Sequence, residues 1–250
     1  MVVDVRQAVA SIAQICQAGA KQVNFATRVA LTRTAKKAAD AEVKEMRDVF
    51  RNPTPYTLNS VYVKPATATR LEATVMLKDD ATKAIPAAKF LRPQIDGGQR
   101  VQKRFERALQ AVGAMPVGYR AVPGAGARLD AYGNMSSGQI VQILAFFRAF
   151  PEMGYKANMS DQRRARLARG TKRQQGFSYF IGQPGDRLPL GVYQRTSFAS
   201  GTAIRPVLLF VRSAVYQERF DFKYVVELTT QKEFATEFTK AMVEAERTAR

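Results

Sequence analysis

An α+β fold is predicted by three observations on the sequence. A long segment near the start spaces its apolar residues by three, four or seven. After a proline pair the apolar period drops to two, and the chain closes on a second helical pattern. Together they predict a long N-terminal helix and a C-terminal helix packed on a small, mostly antiparallel sheet, interrupted by a large loop-rich insertion. With 250 residues, 46% of them hydrophobic, the chain reads as a single domain. Its core is expected from residues of about 20–80 and 185–250, with the insertion at about 81–184.

The first long helix is expected over residues 24–51, with Phe25, Val29, Thr32, Ala39, Val43, Met46 and Phe50 as its apolar stripe. A shorter helix precedes it, with Val5, Val9 and Ile12 aligned and Gly19 as the break. Asn52-Pro53-Thr54-Pro55 stops the long helix, because a residue before proline is pushed out of the α region. Residues 60–64 and 71–78 then read as a β-hairpin, with Leu71, Ala73, Val75 and Leu77 on one side. Residues 204–211 read as a third strand, and residues 215–226 as a contributor of another. Thr230 and Glu233 form a capping-box pattern ahead of Phe234, Phe238 and Met242, which predicts the closing helix.

The stretch from about 80 to 200 carries prolines at 86, 93, 116, 123, 184 and 189 and much of the glycine. Two helices are expected in it. One covers residues 99–112, with Val101, Phe105, Leu109 and Val112 aligned. The other starts at a second capping box, Ser136 and Gln139, and runs through Ile140, Ile143, Leu144 and Phe147 to Pro151. The stretch YRAVPGAGARLDAYGN at 119–134 shows neither period and reads as a long excursion of the binding-loop kind.

Composition narrows the function. There is no histidine, no tryptophan and one cysteine, against 39 Lys+Arg and 21 Asp+Glu, for a net charge of +18. Without histidine, Ser-His-Asp and Cys-His catalysis and His-based zinc sites are excluded. PGAGA at 123–127 lacks the lysine and the strand–helix setting of a phosphate-binding loop and reads as a flexible loop. Asp79, Asp80 and Asp96 read as turn and solubility residues more readily than as magnesium ligands. No catalytic residue, cofactor or metal site is expected. Cys16 has no intrachain partner and reads as a small buried thiol on an alanine-rich segment. The first residues lack a basic region ahead of an unbroken apolar stretch, and no window approaches the roughly 18 apolar residues of a membrane span. A soluble protein made in the cytoplasm, with no membrane partner, is the expectation.

The strongest functional signal is the run Arg163, Arg164, Arg166, Arg169, Lys172 and Arg173, opposed within it only by Asp161 and flanked by Tyr155, Phe177, Tyr179 and Phe180. Guanidinium groups engage phosphates bidentately and rings stack on bases, so this pattern fits a nucleic-acid surface. It equally fits a solvated face that meets an acidic partner protein. No helix-turn-helix, zinc-finger or RNP-type motif is present, so sequence-specific readout is not expected. The phenylalanines at 146, 147, 150, 234 and 238 fall at helical spacing and read as core.

Two blocks of the chain resemble structural proteins of tailed bacteriophages. They are FATRVALTRTAKKAADAEVKEMRDVF followed by TPYTLNSVYVKPA, and GVYQRTSF, IRPVLLFV and KEFATEFTKAM in the C-terminal part. The similarity is to minor tail protein Z-like, tail-completion and head–tail connector (neck) proteins. It is carried by Leu58, Ser60 and Val61 after the Thr54-Pro55 turn, by Leu188, Pro189, Gly191, Val192, Tyr193 and Arg195, and by the apolar strand at 206–211. It spans residues of about 20–80 and 185–250; the residues between depart from the shortest members of the group.

The resemblance implies a virion component without chemistry, located in the neck or tail and assembled in the host cytoplasm. Its partners would be copies of itself in a closed ring, adjoining portal or adaptor and tail proteins, and packaged double-stranded DNA met without sequence specificity. The alternative reading is a basic nucleic-acid-binding protein using the 163–173 patch. A hydrolase built on Asp and Glu alone is a weaker third, since it needs two carboxylates about 5–9 Å apart in a cleft.

Overall fold

The computed structural model describes residues 19–248 apart from 83, 151–156, 173, 184, 186 and 213–214. The short helix expected around Val5 to Ile12, Cys16, Tyr155 and Arg173 lie outside the described residues, and the helix expected to run to Pro151 ends at Phe146, where the chain turns. The architecture is α+β, with long N- and C-terminal helices and small antiparallel sheets. The chain divides into two compact units, one of residues 1–97 with 217–250 and one of residues 98–216. The second unit runs past the expected end of the insertion near 184. The strand expected at 204–211 pairs inside the second unit, not with the 60–78 hairpin.

In the terminal unit, helix α1 (Ala20–Val49) and helix α7 (Phe222–Thr248) pack along each other. They run antiparallel, since Arg33 meets Glu244 while Lys37 meets Glu233 and Glu237. The buried face of α1 is not the predicted stripe. Phe25 stays 38% exposed, while Ala26, Thr27, Ala30, Leu31, Thr34, Ala35, Ala38 and Glu42 are buried with Met46. Small side chains let the backbones approach, and the volume is filled from the partner helix by Phe234, Phe238 and Met242. The bulkiest residues of a helix are thus a poor guide to its buried face when the neighbour supplies the bulk.

Helix α1 ends at Phe50, whose backbone is extended, and Asn52 takes a positive φ of 50° before Pro53. Thr54 caps the one-turn helix α2 (Pro55–Leu58), accepting from Thr57 N at 3.2 Å. Strands β1 (Val61–Lys64) and β2 (Thr74–Leu77) form the expected hairpin, with Val61 opposite Leu77 and Val63 opposite Val75. Val75 joins Ala38, Met46, Leu91, Phe220 and Phe222 in one core cluster. Leu91 belongs to helix α3 (Ala87–Ile95), which two prolines hid in the sequence; Pro86 stands at its N-cap and Pro93 within its last turns. The Thr230–Glu233 capping box is corrected. Helix α7 starts two turns earlier, where Asp221 Oδ1 accepts from Tyr224 N at 3.0 Å. Thr230 lies inside the helix, its hydroxyl donating to Val226 O at 2.7 Å. Of the segment 215–226 expected to contribute a strand, Val215–Tyr216 does so, and residues 221–226 are this cap and the first turn of the helix.

In the inserted unit the chain enters and leaves through paired short strands, β3 (Gly98–Gln99) and β10 (Val215–Tyr216). Between them stand helix α4 (Arg104–Ala111), strand β4 (Arg120–Pro123), helix α5 (Ser137–Phe146), helix α6 (Asp161–Arg169) and short strands β5 (Gly170–Thr171) and β6 (Gln174–Gln175). Longer strands β7 (Phe177–Gly182), β8 (Gly191–Phe198) and β9 (Gly201–Val211) follow. The sheet order is β4-β9-β8-β7, antiparallel throughout. Leu109 of α4 and Ile143 and Leu144 of α5 pack with Tyr179, Val192, Val207, Leu208 and Phe210 of the sheet.

The 119–134 stretch is not a free excursion. Its first residues form β4 on the sheet edge, and Gly124 lies so close to β9 that a Cβ there would sit 2.4 Å from Pro206 O. Gln139, expected as a capping residue, is buried and accepts from Arg128 N at 2.6 Å while donating to Gly126 O at 3.2 Å. It fastens the loop to α5.

The base of this unit is fixed by one carboxylate. Glu106 on α4 is fully buried. Its oxygens accept from both Arg100 Nη atoms, from Lys103 N at 2.7 Å and from Ala121 N at 2.8 Å. Burial pushes its pKa up, but the Arg100 guanidinium and the two backbone N–H groups outweigh that and hold it below the usual carboxylate range.

Candidate partner-binding surface

Charge is divided unequally between the units. Residues 98–216 carry 18 basic and 5 acidic side chains, or +13 of the chain's +18, and 15 of the 18 are arginine. The remaining residues carry 21 basic and 16 acidic side chains. In the terminal unit the ion pairs between α1 and α7 use much of that balance: Arg33 binds Glu244 bidentately at 2.9 Å, and Lys37 reaches Glu233 and Glu237 at 2.7 Å each.

Most of the predicted arginine run rides on α6 and the β5–β6 turn. Ser160 caps α6, its Oγ accepting from Arg163 N at 3.3 Å, and Asp161 stands in the first turn, where the helix dipole favours a negative charge. The helix stops at Gly170, whose φ of 72° lies in the left-handed region. A Cβ there would also sit 2.3 Å from Gly176 N, so the turn into β5 and β6 needs glycine.

The run splits into two kinds of residue. Arg164 is a clamp. Its Nη2 donates to Phe146 O at the end of α5, its guanidinium lies 5.1 Å from the Phe146 ring centroid, and Nη1 stands 3.5 Å from Asp161. Asp161 is also taken by Arg148 at 2.8 Å. Arg163, Arg166, Arg169 and Lys172 are exposed, and among the described residues none has a carboxylate partner. Replacing Arg164 by Glu is therefore expected to destabilise the chain by about 1–3 kcal/mol, through a lost charge-assisted hydrogen bond and cation–π contact. Arg163→Glu is expected to stay within about 0.5 kcal/mol. Urea denaturation of the two variants side by side checks this.

The flanking aromatic residues Tyr179 and Phe180 are not open stacking platforms. Tyr179 is buried, its hydroxyl donating to Gln142 Oε1 at 3.0 Å, and it packs edge-on against Phe146 and Phe177. Phe180 is covered on one side by Tyr193 and on the other by Arg195, 4.6 Å from its centroid. Clustering in sequence placed these rings near the arginines; strand alternation turned Phe177 and Tyr179 into the core and Phe180 to the opposite face of the sheet.

Beside the free arginines lies a cleft of about 400 Å³ between α5, α6 and the β5–β6 hairpin. Val141, Ala145, Leu167 and Phe177 line it with apolar surface, Gln142 and Gln174 add amides, and Arg163 and Arg166 stand in its wall. Among the described residues no carboxylate lines it. The sequence signal for the cleft was Val141, an apolar residue off the Ile140–Ile143–Leu144 core face of α5 and 53% exposed. A cavity of about 540 Å³ in the terminal unit is lined by Tyr56, Asn59, Ser60, Lys78 and Asp80 among others, with charges of both signs.

Among the described residues, no group of three or more Asp, Glu or Cys side chains is placed to hold a metal ion, and Asp96 is paired with Arg92 at 3.1 Å. Among them, too, no helix is long and apolar enough to cross a membrane. No family model matches the sequence, no curated protein matches it, and no solved structure matches its fold.

Proposed function

We propose that the chain is a structural subunit of a tailed-bacteriophage neck, of the head–tail connector or tail-completion type. It assembles with its own copies into a ring between portal and tail and catalyses no reaction. The observation that carries this reading is the partition of charge: a nearly balanced terminal unit of paired helices, and an inserted unit at +13 whose exposed arginines on α6 have no carboxylate partner among the described residues. The terminal unit, with its long helices and hairpin, holds most of the first block of resemblance to neck proteins, and the second block runs through β8, β9 and α7.

A ring puts one face of each subunit against a different face of the next. Copies of a +13 unit repel one another over about 10 Å at 0.1 M salt, so a ring of them calls for a polyanion or acidic neighbours beside it. Packaged DNA and the adjoining portal and tail proteins supply both. The same charge supports a second reading, a nucleic-acid-binding protein that acts without assembling.

Two measurements separate them. Light scattering on the purified chain at low and physiological salt is expected to give a discrete ring-sized mass, favoured by added duplex DNA. Affinity for duplex DNA is expected to fall about 100-fold between 50 and 200 mM salt if about four phosphates are neutralised. A monomer under every condition that still binds DNA with that salt dependence gives the second reading. A monomer that binds no DNA sinks both.

A further inference from the structure

We infer that the cleft between α5 and α6 is the docking site for a short acidic segment of a partner protein, which places apolar side chains on its floor and carboxylates on Arg163 and Arg166. The inference rests on the assembly reading and names the partner for this part of the arginine surface. Two features of the cleft argue against a plain phosphate contact. Double-stranded DNA offers phosphates and sugar edges at its rim and needs no apolar floor. Here the floor is aliphatic: Val141 is half-exposed, and Ala145 and Leu167 line the same cleft. Base stacking would need an open ring face, yet Phe177 is packed edge-on to Tyr179 in the core.

A volume of about 400 Å³ suits one or two large apolar side chains. The charge complement is one-sided. Among the described residues, the two guanidinium groups in the wall have no carboxylate partner and no acid lines the cleft, so an incoming carboxylate meets attraction from both. The Gln174 amide offers a donor and an acceptor, and Gln142, whose Oε1 already accepts from Tyr179, offers its amide N–H groups, matching the backbone of an extended peptide. A second copy of the same unit is a poor occupant, because its surface is itself strongly basic. The remaining exposed arginines of the unit, Arg195 and Arg205 on the sheet among them, stay available to DNA.

The test uses the full chain and two probes: a fluorescein-labelled hexapeptide alternating glutamate with leucine, and a fluorescein-labelled duplex DNA. A peptide with lysine in place of glutamate serves as the charge control. Saturable binding of the acidic peptide below about 1 mM is expected, and none of the lysine peptide. Val141→Gln fills the cleft without changing charge; it is expected to weaken the acidic peptide about tenfold and to leave DNA affinity within about twofold. Arg163→Ala combined with Arg166→Ala gives a second variant, in side chains that pair with no carboxylate among the described residues, and is expected to weaken the peptide at least as much. Thermal melts of both variants establish that they fold.

The inference is overturned by lack of saturation with the acidic peptide, or by peptide binding that V141Q leaves unchanged. It is equally overturned if V141Q weakens DNA as much as peptide, which would make the cleft a nucleic-acid site. The assembly reading stands or falls separately, on the mass in solution.

Discussion

Glu106→Gln is expected to cost the chain about 3–5 kcal/mol, the usual penalty for removing one partner of a buried ion pair. The side chain keeps its size, so packing is not the cause. What is lost is the charge opposite Arg100, which is itself only 12% exposed, and one acceptor oxygen is replaced by a donor. The amide nitrogen then faces either Arg100 Nη2 and Ala121 N or Arg100 Nη1 and Lys103 N, donors left without an acceptor. The damage is local to residues 98–216, because the carboxylate joins the start of α4 to strand β4. Hydrogen exchange should show Ala121 and its sheet partners losing protection while α1 and α7 keep theirs.

The pH dependence has a definite sign. The folded pKa of Glu106 lies below its unfolded value of about 4.3, so its contribution is complete above about pH 5 and is lost as pH falls through the depressed folded value. The Gln variant should lack that acid-sensitive limb. Replacing Arg100 by Met and Glu106 by Leu together should recover part of the loss, since an apolar pair leaves no uncompensated charge. Equal urea midpoints for wild type and E106Q at pH 7 would remove Glu106 from its role as the anchor of the unit.

Much of the scaffold was legible in the sequence because its signals are local. The helix over residues 20–49, its stop at Asn52-Pro53, the hairpin and the apolar strand ending at Val211 each follow from a period or a breaker within a few residues. What was misplaced depends on partners far away in the chain. The buried face of α1 is made of alanines because Phe234 and Phe238 come from 200 residues later. Gln139 looks like a capping residue until the loop at 126–128 arrives to be fastened. The boundary at 216/217 rests on β9 pairing with β4 and β8, which no single segment encodes. At the candidate site the run of arginines was legible, but its division was not. Arg164 is removed from the surface by Phe146 O, 18 residues back, and Val141 enters the site only once α5 and α6 lie side by side.

Glu42→Gln is expected to raise stability, by about 3–4 kcal/mol at pH 7. Glu42 sits on the inner face of α1, 0% exposed, and neither carboxyl oxygen has a hydrogen-bond partner among the described residues. Burial first, then the negative charges of Glu45 and Asp221, push its pKa up to about 9. The folded state therefore holds a proton that the unfolded state releases above about pH 4.3. Each pH unit between those values costs the fold about 1.4 kcal/mol, so stability is greatest below the unfolded pKa and declines as pH rises through the folded one. Glutamine has nearly the same shape and the same unpaired polar ends as the protonated acid but releases no proton. The gain should be small at pH 5 and grow steadily towards pH 9. That slope distinguishes a titrating group from a packing effect, which would shift stability equally at every pH. Urea unfolding of wild type and E42Q at pH 5, 7 and 9 measures it, and parallel curves would show that the Glu42 carboxyl is not held protonated in the fold.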